Sequence, residues 1–234
     1  MLQSYRILSG SMLKVIAMVT MLIDHLAAYY WWYDPQFAQP FFTIGHHQVD
    51  ACFLMRLVGR IAFPIFAFLL VEGFVHTSNR RRYGISLFLF ALLSELPWNL
   101  VHTGTWHYSS QIVFFTLLLG YLGICSIEYL KGRRRVLALV GLLVGSILLR
   151  ADYGCSGYGF ILLLYVLRSQ PLLQAVIGSC VLGSRWVAGL AFIPINMYNG
   201  RRGFIQGRWS KYLFYVFYPL HLLVIYFLQC QAWG

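Results

Sequence analysis

The sequence predicts an all-α, polytopic integral membrane helical bundle of about nine helices, some of them short, and three observations carry that prediction. Of 234 residues, 59% are hydrophobic and only 11% are charged, whereas a soluble domain carries about 25% charged residues. Apolar runs such as Leu57 to Val75 and Tyr212 to Leu228 are long enough to cross hydrocarbon. The basic residues gather in short clusters between those runs, as cytoplasmic loops do under the positive-inside bias. Clusters of that kind, rather than one basic face or tail, argue against nucleic acid as the partner behind a net charge of +11 and leave the lipid bilayer as the first partner. Residues 1–234 read as a single membrane domain.

Taken in order, the first apolar stretch, near 12–32, is about twice as long as a signal-peptide core and lacks a small-residue cleavage site, so it is expected to remain as a helix. Spans two to five are expected near 57–76, 83–101, 111–130 and 136–150. Spans six to eight, near 157–168, 171–183 and 186–198, are short. A straight helix of a dozen residues cannot cross about 30 Å of hydrocarbon, so these three must tilt, re-enter or be shielded by neighbours. Span nine lies near 211–230. With the N-terminus cytoplasmic, fourteen Lys and Arg fall inside and four, Arg56, Arg60, Arg150 and Arg185, fall outside. Merging spans seven and eight would carry the cluster from Arg201 to Lys211 outside, against the rule. The expected location is a bacterial cytoplasmic (inner) membrane, with multiple passes.

Five cysteines show no CxxC spacing and read as small buried hydrophobes. His46, His47 and Asp50 stand in a solvated loop at a spacing too tight to indicate a metal site, and no metal is expected. Walker-type loops, GxGxxG, GxSxG and HExxH are absent, which removes support for soluble-type nucleotide, hydrolase and zinc chemistry.

Within the expected spans lie Asp24, His25, Arg60, Glu72, Glu95 and His221. A strongly polar group costs about 2.5–3.5 kcal/mol at a helix centre on insertion scales, and such residues are functional by default. By depth, Asp24, His25, Glu95, Arg60 and His221 are expected to share one polar cavity in the outer half of the membrane. His25 suits a general base, because neutral imidazole accepts a proton near neutral pH, with Asp24 or Glu95 to orient it. Asp24 and His25, being adjacent, point about 100° apart and line two walls rather than one. His221 follows a mid-span proline in Tyr218-Pro219-Leu220-His221. Two readings stand for it: a site residue beside a kink, or a histidine satisfied by a backbone carbonyl. Glu72 and His76 sit four apart on one helix face near the cytoplasmic end of span two. Arg56 and Arg60 share a face as well and suit an anion or a pairing with Glu95. Arg80, Arg81 and Arg82 are first of all a topology determinant at the cytoplasmic mouth, and secondarily a place for the phosphates of a nucleotide-bearing donor.

The stretches Lys14-Val15-Ile16-Ala17, Ile23-Asp24-His25, Gly59-Arg60-Ile61-Ala62-Phe63-Pro64-Ile65-Phe66, Glu72-Gly73-Phe74, Ser94-Glu95-Leu96-Pro97 and Tyr218-Pro219-Leu220-His221 resemble the TraX family, from about residue 11 to residue 230. That resemblance implies a membrane protein of conjugal transfer and fimbrial assembly that acetylates the pilin N-terminus with acetyl-CoA. The family is similar, more distantly, to integral-membrane acyltransferases of cell-surface sugars. That likeness implies His25 as the catalytic base and maps their aromatic helix and arginine-rich turn onto Phe63 to Phe74 and Arg80 to Arg82. Their paired-arginine motif continues into the next helix, where this chain has Gly84, Ile85 and Ser86.

The resulting expectation is a membrane acetyltransferase taking acetyl-CoA as donor and pilin or a cell-surface molecule as acceptor. His25, Asp24, Glu95 and His221 would do the chemistry, Arg80 to Arg82 would hold the donor, and Arg60, Glu72, His76 and Tyr218 would line the cavity. A proton-coupled permease and a non-catalytic membrane subunit of a pilus or conjugation apparatus are the alternatives, since lines of Asp, His and Glu also build proton relays.

Overall fold

A computed structural model of the chain describes residues 5–37, 39–44, 47–205, 207 and 210–233. His46 and Arg208 lie outside the described residues. Helices run in order as α1 (Gly10–Tyr29), α2 (Ala51–Gly59), α3 (Ala62–His76), α4 (Arg80–Thr103), α5 (Val113–Tyr129), α6 (Gly132–Leu148), α7 (Gly154–Val166), α8 (Pro171–Val181), α9 (Phe192–Asn196) and α10 (Ser210–Trp233). A 3-10 segment, Gly183–Ala191, leads into α9, and a small antiparallel hairpin, Phe42–Ile44 with His47–Val49, occupies the first loop. The all-α bundle expected from the sequence is therefore the fold.

Among the described residues, four stretches are long and apolar enough to cross a membrane: Gly10–Tyr33, Ala51–His76, Arg80–Thr103 and Tyr212–Ala232. Val113–Tyr129, Gly154–Val166, Pro171–Val181 and Val187–Asn196 are shorter apolar helices. The bundle is apolar on its outside as well as its inside. On α6, for example, Val136, Leu137, Val140, Ile147 and Leu148 are all exposed, as lipid contact requires and water would not. Of the cysteines only Cys52 is buried; Cys155, Cys180 and Cys230 are exposed, which an apolar exterior tolerates.

The second span begins earlier than its charge pattern suggests. Asp50 caps α2, accepting from the Phe53 amide at 2.6 Å, so this acidic residue starts a helix. Arg56 then falls inside the helical stretch, and the chain bends at Arg60–Ile61 before α3. Helix α4 likewise starts at the arginine triplet, because Asn79 accepts from the Arg82 amide at 2.8 Å.

The N-terminus of α1, a span that would otherwise leave its first amides bare, is closed by a distant loop. Gly10 and Ser11 amides donate to the carbonyls of Arg201 and Arg202 at 2.8 and 2.9 Å. The Ser11 hydroxyl also donates to the Arg202 carbonyl, and Leu8 pairs with the Met197–Asn199 backbone. This end of the bundle, where α1 and α4 begin and α3 ends, is its basic end, carrying Lys14, Arg80 to Arg82 and Arg201 to Arg202.

Helix α1 packs against α2, α3 and α10, while α4 packs against α10 and α5. The α1–α2 contact is set by Gly59: a Cβ there would collide with the Cβ and carboxylate of Asp24. Gly59→Ala is thus expected to destabilise the bundle by about 1–3 kcal/mol, the usual cost of overpacking. Thermal unfolding in detergent checks this, and an unchanged midpoint would show that the two helices can separate freely.

Candidate functional site

His25 on α1 and His221 on α10 meet in the core, both rings buried. His25 Nδ1 lies 2.7 Å from His221 Nε2, and His221 Nδ1 lies 2.7 Å from the Phe217 carbonyl oxygen. Their ring planes differ by 3° with centroids 5.0 Å apart, the edge-to-edge geometry of an N–H···N bond. The direction of this chain follows from its end. A carbonyl only accepts, so His221 donates from Nδ1 and keeps a lone pair on Nε2. His25 therefore donates from Nδ1, and its Nε2 carries the free lone pair. A proton taken up at His25 Nε2 leaves a charge that both rings and the Phe217 carbonyl share. Of the two sequence readings of His221, the carbonyl contact is present, and the same ring also orients His25.

The other members of the expected cluster are placed apart. Asp24 Oδ1 is 4.0 Å from Arg56 Nε, and the Arg60 charge also acts on it. Arg56 and Arg60 therefore serve Asp24 rather than Glu95. Adjacent helical positions diverge, so Asp24 faces the α2 bend while His25 faces α10. Glu95 lies with Gln111 and His107 near the far end of the bundle, and its Oε2 is buried without a hydrogen-bond partner among the described residues. Neither carboxylate hydrogen-bonds His25, whose partner is His221.

A second polar pair lies next to the first. The Tyr29 ring packs on His25 with centroids 5.7 Å apart, and its hydroxyl donates to His102 Nε2 at 2.8 Å, because His102 Nδ1 is spent on the Trp98 carbonyl. Tyr218 packs edge-on against both His25 and His221, at 6.0 and 5.4 Å between centroids.

Tyr218 also lines a cavity of about 510 Å³ whose walls extend to Lys14, His76 and Arg202 at the basic end. Lys14, Met21, Phe66, Glu72, His76, Arg202 and Phe214 are among its walls, which are mainly apolar. Glu72 and His76, expected as cavity residues, are there, with His76 Nδ1 3.6 Å from Glu72 Oε2. None of Arg80, Arg81 and Arg82 lines this cavity. Arg80 donates to the Tyr129 hydroxyl at 2.7 Å, sits 4.4 Å above the Phe74 ring and 4.0 Å from Glu128, a clamp between α3, α4 and α5. Arg80 and Arg81 both line a separate open groove between α4 and α5, and Arg82 reaches the Tyr212 hydroxyl at 3.5 Å.

Sequence reasoning missed Tyr29, His102, Lys14 and Arg202. A signal existed for two of them: Lys14, Met21 and His25 recur at seven and four residues and Tyr29 follows His25 by four, so all share one helical stripe. Nothing local announces His102, which reads as an ordinary helix end.

The chain is 26% identical, over 93% of its length and 94% of the relative's, to a probable fimbrial assembly protein, FimC of serogroup H1, from Dichelobacter nodosus. No solved structure matches. The family model described as TraX protein matches residues 9–229, nearly the whole chain, and so this protein belongs to the TraX family.

Proposed function

We propose that this chain is a membrane-embedded acetyltransferase of a pilus or conjugation apparatus, working in the bacterial inner membrane with its N-terminus cytoplasmic. The observation that carries the reading is the His25–His221–Phe217 hydrogen-bond chain, which leaves one histidine nitrogen free as a base inside the bundle. In the reaction, His25 Nε2 takes the proton of an acceptor amine or hydroxyl as that atom attacks the thioester carbonyl of acetyl-CoA. The new C–N or C–O bond forms, the C–S bond breaks, and the imidazolium returns the proton to the departing thiolate. Tyr29, held by His102, borders His25 on the side away from the basic end, where an acceptor on the outer face would arrive. The curated relative's name, a fimbrial assembly protein, supports pilin as the acceptor class.

Purified protein in nanodiscs, given labelled acetyl-CoA and pilin N-terminal peptides or cell-surface glycans, is expected to transfer label to one of them. Absence of transfer to every acceptor, with proton-gradient-driven uptake in liposomes instead, would replace this reading with a transporter.

A further inference from the structure

The cavity beneath Tyr218 has no assigned occupant. Its volume of about 510 Å³ falls within the range of small-molecule sites, about 300–1,000 Å³. At its mouth stand two cations, Lys14 and Arg202, close enough for their charges to repel one another. Neither has a carboxylate partner among the described residues; Lys14 Nζ lies instead 4.8 Å above the Phe214 ring. The one carboxylate among the lining residues, Glu72, accepts from the Tyr198 hydroxyl, while His76 Nδ1 donates to the Glu72 main-chain carbonyl at 2.9 Å; its single charge leaves the two cations in excess. The two residues are held side by side at the main chain, because the backbone of Arg202 is bonded to the first turn of α1, the helix that carries Lys14 and His25. Like charges gathered at the lip of an apolar cavity need a counter-anion, and phosphate is the group that suits two cations at once.

Lys14 and His25 are separated by eleven residues of one helix, about 16 Å at a rise of 1.5 Å per residue. His25 is not itself in the cavity wall, but Tyr218 is, and its ring packs on His25 with centroids 6.0 Å apart. A ligand that spans from Lys14 to that ring must be slender and long, with an anionic head and an arm that tolerates apolar walls.

Resting on the acetyltransferase reading, we infer that this cavity is the donor site: Lys14 and Arg202 hold the phosphates of the nucleotide thioester, and its arm runs under Tyr218 toward His25. The arginine triplet then serves as helix start and interhelical clamp and does not hold the donor. An anionic phospholipid shares the same head chemistry, and the test separates the two.

Binding of labelled CoA and of pantetheine, which has the arm without the phosphates, is measured in nanodiscs of phosphatidylcholine alone and with phosphatidylglycerol. Wild type is expected to prefer CoA, and the double variant Lys14→Ala/Arg202→Ala to lose most of that preference, about tenfold per cation removed, while still binding pantetheine. Retained pantetheine binding shows that the variant is folded; if it is lost, Lys14→Gln and Arg202→Gln are read singly. Arg81→Ala/Arg82→Ala is expected to match wild type. If wild type binds CoA and only the Arg81/Arg82 variant loses it, the donor-site inference is wrong and the acetyltransferase reading survives. If wild type binds neither probe in either membrane, the acetyltransferase reading itself fails. Phosphatidylglycerol that blocks CoA and is not displaced by it makes this a lipid site and overturns the inference.

Discussion

Replacing His25 by alanine is expected to lower acetyl transfer by about two to four orders of magnitude, the contribution of a positioned general base. His221 is expected to matter for a different reason. It does not itself offer the free nitrogen, but its Nε2 is the acceptor that holds the His25 proton on Nδ1. In His221→Ala that acceptor is gone, the His25 tautomer and ring angle are no longer set, and the rate should fall by about one to two orders, as when an outer partner of a working histidine is removed. Glutamine at 221 can still accept from His25 and donate to the Phe217 carbonyl. His221→Gln should therefore recover part of the loss, and with folding followed by size exclusion this rescue separates a positioning role from a merely structural one. Equal loss in both His221 variants, with His25→Ala active, would show that the pair has nothing to do with proton transfer.

The Asp24–Arg56 pair should show its effect in stability and leave transfer unchanged in Asp24→Asn. Arg56→Ala leaves a carboxylate at the α1–α2 contact with only Arg60 to answer it. A cost of about 2 kcal/mol is expected, below the roughly 3–5 kcal/mol of a fully buried pair, because the second arginine remains and both side chains are partly exposed. Asp24→Asn should cost less, since a long guanidinium can reach the interface and a short carboxylate cannot. The double variant Asp24→Asn/Arg56→Ala should then be more stable than Arg56→Ala alone, a sign that a thermal double-mutant cycle reads directly. Transfer that collapses in Asp24→Asn at normal stability would return Asp24 to the chemistry.

How much of this was legible in the chain depended on the range of each interaction. Apolar runs report burial in lipid directly, so the spans near 12–32, 83–101, 111–130 and 211–230 fall on α1, α4, α5 and α10. The start of α2 was hidden because Arg56 breaks the apolar run while Asp50 silently caps the helix. Depth along a helix is also readable, and it brought His25 and His221 to one level. Depth says nothing about rotation, however, and rotation is what sends Asp24 to α2 and Glu95 toward Gln111. The pairing of Lys14 with Arg202 was out of reach, because it depends on a loop from the far end of the chain bonding to the first turn of α1.

That stitch between the beginning and the end of the chain sets a timetable for biosynthesis. The two histidines are 196 positions apart, and a ribosome adding about 5–20 residues per second needs about 10–40 s to deliver the second after the first. Until then the first helix waits in the membrane with bare amides and an unaligned imidazole. On the acetyltransferase reading, a nascent chain has His25 without the partner that sets its tautomer, so transfer is expected to reach its full rate only once α10 is in place.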